Sequence, residues 1–228
     1  MIPAAAVLVA AGRGLRMGGG AKQFRLLAGR PAMCWAARPL LEALSGPLVL
    51  VLPADRLEEG EDLFRAHLPG SSSRLRVAPG GSRRQDSVRQ GLLSIPDAAT
   101  VLVHDASRPF ASRGLCERVA RRAAAGRAVL PALPIHDSLK EVAGERVVMT
   151  RDRSRFVAAQ TPQGFPQAIL SRAHEEVGSE EATDDAELCE RLGYPVTWLP
   201  GEDLNRKLTG PADWAWAERT IAEGGVRW

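Results

Sequence analysis

The chain is 228 residues long, 45% hydrophobic and 25% charged, a globular composition that excludes a disordered tail or a collagen-like fibre. The longest apolar run, Ile2 to Ala11, is 10 residues, about half of what spans a bilayer, so no transmembrane helix is expected. A balance of 30 basic to 27 acidic residues leaves a net charge of +3, too mild to mark a nucleic-acid footprint by itself.

Ala4–Ala10 reads as a buried first strand rather than a signal peptide, because neither Lys nor Arg precedes Arg13. A glycine-rich loop follows it. Pro31–Leu44 is an amphipathic helix with Pro31 in its first turn, and Pro39 inside it predicts a kink or an earlier end. Next come strand Pro47–Leu52, helix Ala54–His67, strand Leu75–Ala78, helix Arg84–Ile95 and strand Thr100–Val103. Helix Ser112–Ala125 takes Ser112 as its N-cap and leads into strand Ala128–Leu133. Such alternation predicts an α/β fold, Rossmann-like, with a mostly parallel sheet and helices on both faces, in a single domain over 1–228. After Leu133 the alternation stops. Two half-apolar runs flanking Gly144 predict an inserted β-hairpin arm at about 135–155. With little core of its own, the arm either covers a site or reaches a partner subunit. Helix Thr183–Leu192, strand Val196–Leu199 and helix Pro211–Ala222 complete the chain.

Cys34, Cys116 and Cys189 are far apart and odd in number, giving neither a metal pair nor a disulfide framework, so a reducing, cytoplasmic location is expected. Only three of the 30 basic residues are lysine: Lys22, Lys140 and Lys207. Lysine is a compact point charge where arginine is a planar fork, so positions that resisted the exchange are candidates for gripping a single phosphate oxygen.

Several segments can carry chemistry. Gly12, Gly14, Gly18, Gly19 and Gly20 crowd the loop after the first strand, where backbone N–H groups can approach an anion, and Arg16 and Lys22 flank it. Met17 breaks a dinucleotide fingerprint, and Gln23 after Lys22 breaks a Walker loop. Gly80-Gly81 ahead of Ser82 and Asp86 can cradle a base or a phosphate at a helix start. Asp105, just past a buried strand, can offer hard oxygens to Mg²⁺, while neighbouring His104 reads as a structural hydrogen-bonder. Arg153, the Gln160-Thr161-Pro162-Gln163 run and Asn205-Arg206-Lys207-Leu208-Thr209 gain meaning only in company.

Taken in order, A-A-G-x-G-x-R-M…K-Q, G-G-x-x-R-x-D-S-V, H-D-A-x-R-P, T-P-Q and N-x-K-x-T…P-x-D resemble the 2-C-methyl-D-erythritol 4-phosphate cytidylyltransferases of the non-mevalonate isoprenoid pathway. The similarity runs from about Ala4 to Glu218. It implies transfer of CMP from CTP to a sugar-alcohol phosphate, with pyrophosphate leaving and Mg²⁺ or another divalent cation as cofactor. It implies that Ala10, Ala11, Gly12, Gly14, Lys22, Gly80, Gly81, Ser87, Asp105 and Ala106 bind CTP. The catalytic set would be Arg16, Lys22, Arg153 and Lys207, with Asp105 holding the metal. The acceptor would meet Asp105, Arg108, Ser138, Arg153, Thr161 and Lys207. The arm, carrying Lys140, would exchange contacts in a homodimer, so that Arg153 acts across the interface.

The chain departs from the family pattern at Ala21, in a glycine loop about one residue short, at Ser107, at Arg206 and at Ser138, which stands where threonine is usual. A ribitol 5-phosphate cytidylyltransferase shares the glycine loop, the Asp motif and T-P-Q, and is the nearest alternative. A non-catalytic nucleotide-sensing module is the alternative of another class. Nucleic acid and membrane are not expected as partners.

Overall fold

The structure, a computed structural model, describes residues 1–12, 21–177 and 180–228. The chain passes through β1 (Ala5–Val9), β2 (Leu26–Leu27), β3 (Arg30–Pro31), α1 (Ala32–Ala43), β4 (Leu48–Leu52), α2 (Leu57–His67), β5 (Leu75–Pro79), α3 (Arg84–Leu93), β6 (Thr100–Asp105), α4 (Arg113–Ala124) and β7 (Ala128–Pro134). It continues through β8 (Leu139–Ala143), β9 (Arg146–Arg151), β10 (Val157–Ala159), β11 (Gln163–Pro166), α5 (Gln167–Glu176), α6 (Asp185–Arg191), β12 (Val196–Pro200) and α7 (Pro211–Ala222).

The main sheet has the order β10-β7-β11-β6-β1-β4-β5, with β12 also pairing β7. β1 pairs β4 and β6 in parallel, as β4 pairs β5 and β12 pairs β7. The central strands are buried on both faces, so successive side chains feed two different cores. Leu8, Leu50 and Leu102 point to one side, against Met33 and Leu40 of α1 and Leu115 and Val119 of α4. Val7, Val49, Val51 and Val103 point to the other, against Val88 and Leu92 of α3 and Leu170 of α5. A third cluster, with Trp35, Phe110 and Trp214, fastens α7 to α1.

The α/β expectation therefore holds, with helices on both faces of a mostly parallel sheet. Several elements differ from the sequence reading, which included no β2, β3, β10, β11 or α5. β11 lies antiparallel to β6 and β7, and α5 follows it directly. The Gln163-Gly164-Phe165-Pro166 stretch has no apolar run to announce a strand. It is one because the neighbouring strands hold it and because α4 packs close: a Cβ on Gly164 would lie 2.7 Å from Val119 Cγ1. In addition, α1 runs through Pro39 without ending there. Among the described residues β8 and β9 pair only with each other, turning at Gly144, whose φ of +59° suits a residue without a side chain. Val142, Val147, Val148 and Met149 on this hairpin are exposed. Among the described residues, no helix is long and apolar enough to cross a membrane.

Candidate active site

Four neighbouring strands, β6, β1, β4 and β5, end at one edge of the sheet, and backbone hydrogen bonds tie their exits together. Ala10 N donates to Val51 O (2.8 Å), Ala106 N to Val9 O (3.0 Å) and Gly80 N to Leu52 O (2.7 Å). The carboxyl edge of a parallel sheet is where α/β folds bind ligands. A cleft of about 700 Å³ opens there. Ala10, Ala11, Gly12, Lys22, Gly81, Ser87, Asp105, Ala106 and Lys207 all line it. Gly80 lies just beneath: a Cβ at that position would sit 2.2 Å from Ala11 Cβ.

Asp105 is the electrostatic centre. It is 6% exposed, and both carboxylate oxygens accept hydrogen bonds, Oδ1 from Arg84 Nε (3.0 Å) and Oδ2 from Lys207 Nζ (2.7 Å). Burial alone would raise its pKa, but Arg84 and Lys207 outweigh that and hold the carboxyl well below the usual range, as an anion. Arg84 reaches on to Asp185, its Nη1 donating to Oδ2 at 2.7 Å. The other oxygen of Asp185 accepts from His174 Nε2 at 3.2 Å.

The elements that carry Asp105 and Lys207 are stitched to one another. His104 Nε2 donates to Arg108 O (3.1 Å), which leaves Nδ1 to accept from the Thr161 hydroxyl (2.8 Å). The same hydroxyl oxygen accepts from Asp105 N (3.1 Å). Burial pushes the His104 pKa down to about 4, so the ring is neutral and both nitrogens are occupied. Asn205, fully buried, donates to Thr161 O (2.8 Å), and its own carbonyl accepts from Arg108 Nη1 (2.9 Å). Leu208 N donates to Ser107 O (2.7 Å). These bonds fix the backbone on either side of Lys207. Lys22 lies in a single 3-10 turn, Lys22–Phe24, and its Nζ donates to Thr209 O at 2.7 Å.

On the α3 side of the cleft, Asp86 accepts from Arg83 N (3.1 Å) and the Ser82 hydroxyl (2.9 Å), closing the first turn of α3. Ser87 Oγ accepts from Gly81 N (3.1 Å) and donates to Arg83 O (3.2 Å), which sets the glycine pair against the helix. Three buried donors on the cleft wall, Gln23 Nε2, Arg84 Nη2 and Trp214 Nε1, lack a partner among the described residues. All three are donors, and buried polar groups are almost always paired, so the described wall presents N–H groups suited to acceptor oxygens.

The structure thus brings Lys22, Asp105, Ala106, Lys207, the Ala10-Ala11-Gly12 turn and the Gly81–Ser87 turn to one cleft. Four other described candidates lie off it. Arg153 and Ser138 are exposed and do not line it, and the Arg153 guanidinium donates to the carbonyl of His136. Thr161 and Arg108 sit behind the wall, engaged in the network just described. Gly14 and Arg16 lie outside the described residues. Sequence reasoning gave no role to Arg84, Asp185, Gln23 or Trp214. The Gly80-Gly81 turn contained a signal for Arg84, an arginine in the first turn of the next helix, but nothing local announces its carboxylate partners.

A divalent cation fits in a limited sense. Among the described residues no three His, Cys, Asp or Glu side chains gather as a cage, and Asp105 is the one carboxylate on the cleft wall. That donor set suits Mg²⁺ held by one carboxylate and by substrate phosphates. The three cysteines are unpaired and buried, and burial pushes the Cys34 and Cys189 thiols up to about 12, away from reactivity.

The family model described as IspD, 2-C-methyl-D-erythritol 4-phosphate cytidylyltransferase, matches residues 4–223. The chain is 42% identical over 221 residues to the bifunctional enzyme IspD/IspF of Solidesulfovibrio magneticus, covering 92% of this chain and 55% of that protein. It is 41% identical over 229 residues to the 2-C-methyl-D-erythritol 4-phosphate cytidylyltransferase of Streptomyces coelicolor, covering 96% and 84%. It therefore spans little more than half the length of its bifunctional relatives and most of the single-function one. The crystal structure of 2-C-methyl-D-erythritol 4-phosphate cytidylyltransferase from Thermus thermophilus superposes with a TM-score of 0.80 at 33% identity, over 97% of this chain and 100% of that one.

Proposed function

Because the chain belongs to the 2-C-methyl-D-erythritol 4-phosphate cytidylyltransferase family, we propose that it transfers CMP from CTP to 2-C-methyl-D-erythritol 4-phosphate, releasing pyrophosphate. The observation that carries this reading is the convergence of Lys22, Asp105 and Lys207, from three distant parts of the chain, on one cleft at the carboxyl edge of the sheet.

An oxygen of the acceptor phosphate attacks the α-phosphorus of CTP, a new P–O bond forms, and the bond to pyrophosphate breaks. The second pKa of a phosphate monoester is about 6, so the nucleophile is already ionised at neutral pH and needs no general base. Neutral His104, with both nitrogens engaged, is not asked to be one. The barrier is the meeting of two polyanions, and positioned positive charge lowers it. Lys22 and Arg16 neutralise charge building at the α-phosphate. Lys207 exchanges Asp105 for the acceptor phosphate. Asp105 would hold Mg²⁺, which when bound would supply charge neutralisation for the triphosphate. Ala10, Ala11, Gly12 and Gly14 pack beside the nucleoside, Gly80, Gly81 and Ser87 read the cytosine edge, and Ala106 borders the sugar. Arg108 and Thr161 hold the acceptor side from behind the wall.

Arg153 and Ser138 reach the acceptor from a second copy of the chain. The arm at about 135–155 carries exposed Val142, Val147, Val148 and Met149, an apolar surface suited to pairing with itself in a homodimer. The main sheet and its helices form a single catalytic domain from which that arm protrudes. Buried, unpaired thiols agree with a reducing cytoplasm.

A pyrophosphate-release assay with CTP and Mg²⁺ tests the reading, run in parallel with methylerythritol phosphate and ribitol 5-phosphate. Release with the first acceptor alone is expected. Preference for ribitol 5-phosphate would transfer the assignment to that activity, and CTP binding without release under either condition would make the chain a nucleotide sensor.

A further inference from the structure

Beneath Asp105 runs a line of alternating charge whose inner members, Arg84, Asp185 and His174, the reaction as described does not use. Lys207 pairs with Asp105, Asp105 with Arg84, Arg84 with Asp185, and Asp185 accepts from His174. Asp185 is 0% exposed and lies on α6, on the far side of Arg84 from the cleft. Such an arrangement is costly. Two carboxylates are removed from water beside a guanidinium whose side chain is only 24% exposed, and Arg84 Nη2 still has no partner among the described residues. Buried ion networks seldom add net stability over apolar packing, so stability alone is a poor explanation for this one.

Charge balance supplies a better one. Without Asp185, Asp105 would face two full cations, Arg84 and Lys207, and would be overcompensated. With Asp185 taking one edge of the guanidinium, the Arg84 charge is already matched. Asp105 then keeps close to one negative charge, which Lys207 covers in the ligand-free chain. When Lys207 turns to a phosphate, that charge becomes available to a divalent cation. We propose that Asp185 is a positioning residue of the active site, acting through Arg84 to keep Asp105 negative enough to bind the metal that accompanies the nucleotide. This rests on the cytidylyltransferase reading and deepens it.

The test uses the full chain, with Mn²⁺ as a paramagnetic probe and CTP as the nucleotide. Free Mn²⁺ is counted by electron paramagnetic resonance and metal-free CTP binding is measured by calorimetry. Asp185→Asn is isosteric and removes one negative charge. It is expected to weaken Mn²⁺ binding in the presence of CTP by about tenfold or more, since an unbalanced cation then lies beside the metal. Metal-free CTP binding, by an anion, stays within about threefold of the parent or tightens. The double variant Arg84→Gln, Asp185→Asn removes both charges and is expected to recover Mn²⁺ affinity. A merely structural role predicts the opposite pattern: CTP and Mn²⁺ lost together, and the double variant no better than the single one. That pattern, or parent-like Mn²⁺ binding in Asp185→Asn, overturns the proposal. If Asp185→Asn fails to fold, a folded double variant with parent-like Mn²⁺ affinity supports it, and a double variant without that affinity overturns it. A parent chain that binds neither CTP nor Mn²⁺ with CTP instead refutes the cytidylyltransferase reading on which the proposal stands.

Discussion

Gly80→Ala is the most sensitive probe of how the nucleotide side of the cleft is built. Gly80 has no left-handed backbone, so the substitution tests space alone. The added Cβ would lie 2.2 Å from Ala11 Cβ, 3.1 Å from Ser87 Oγ and 3.3 Å from Leu52 O. Carbons in contact normally rest about 3.5–4.0 Å apart, so the Ala11 turn has to withdraw by well over an ångström. Leu52 O cannot yield, because it accepts from Gly80 N at 2.7 Å. Overpacking of this size typically costs about 1–3 kcal/mol of stability. The turn that moves also lines the cleft, so CTP binding falls as well, by about tenfold for each 1.4 kcal/mol lost from the bound state. Urea unfolding and calorimetric titration with CTP measure the two effects. Ala11→Gly removes the atom that is struck, so the double variant Ala11→Gly, Gly80→Ala should regain much of the stability and affinity that Gly80→Ala loses. Parent-like CTP affinity in Gly80→Ala, or no recovery in the double variant, would refute the reasoning.

Lys22→Ala should cut turnover by about 10²–10³, the usual consequence of losing one preorganised donor, while loss of a partly buried bond such as that to Thr209 costs only about 1 kcal/mol of stability. Lys207→Ala should raise the KM for the acceptor more than that for CTP, an expectation that equal losses would contradict. The same variant should be less stable than the parent at neutral pH. Asp105 has a lowered folded pKa, so its contribution is present above its unfolded value of 3.8 and is lost as pH falls toward the folded one; the gap between the two proteins should close in acid, as urea titrations at stepped pH would reveal. His104 also has a lowered pKa, about 4 against 6.5, so its contribution is full above pH 6.5 and about 3 kcal/mol of it disappears by pH 4; His104→Asn should flatten the stability profile in that window. Val147→Asp on the arm should dissociate the proposed homodimer in analytical ultracentrifugation and reduce acceptor use; a parent chain that sediments as a monomer would remove that role of the arm.

The sequence by itself determined the strand–helix alternation. Short β-rich apolar runs between amphipathic helices leave little choice but a sheet covered on both faces, and local periodicity carries that information. It also singled out Asp105, an acid at a strand end, and the three lysines of an arginine-rich chain, of which Lys22 and Lys207 line the cleft while Lys140 is exposed on the hairpin, donating to the Thr150 hydroxyl. Only the tertiary structure decided the remainder. β11 is a strand because β6, β7 and α4 close around Gly164, not because of its own residues. Thr161 and Arg108 emerge as supports behind the wall because their bonds run to residues far away in sequence. Arg84 acquires a role only when Asp105 and Asp185 arrive from β6 and α6 to share it. Secondary structure is written in neighbours a few positions apart, whereas the charge balance of a buried site depends on which distant side chains the fold removes from water together.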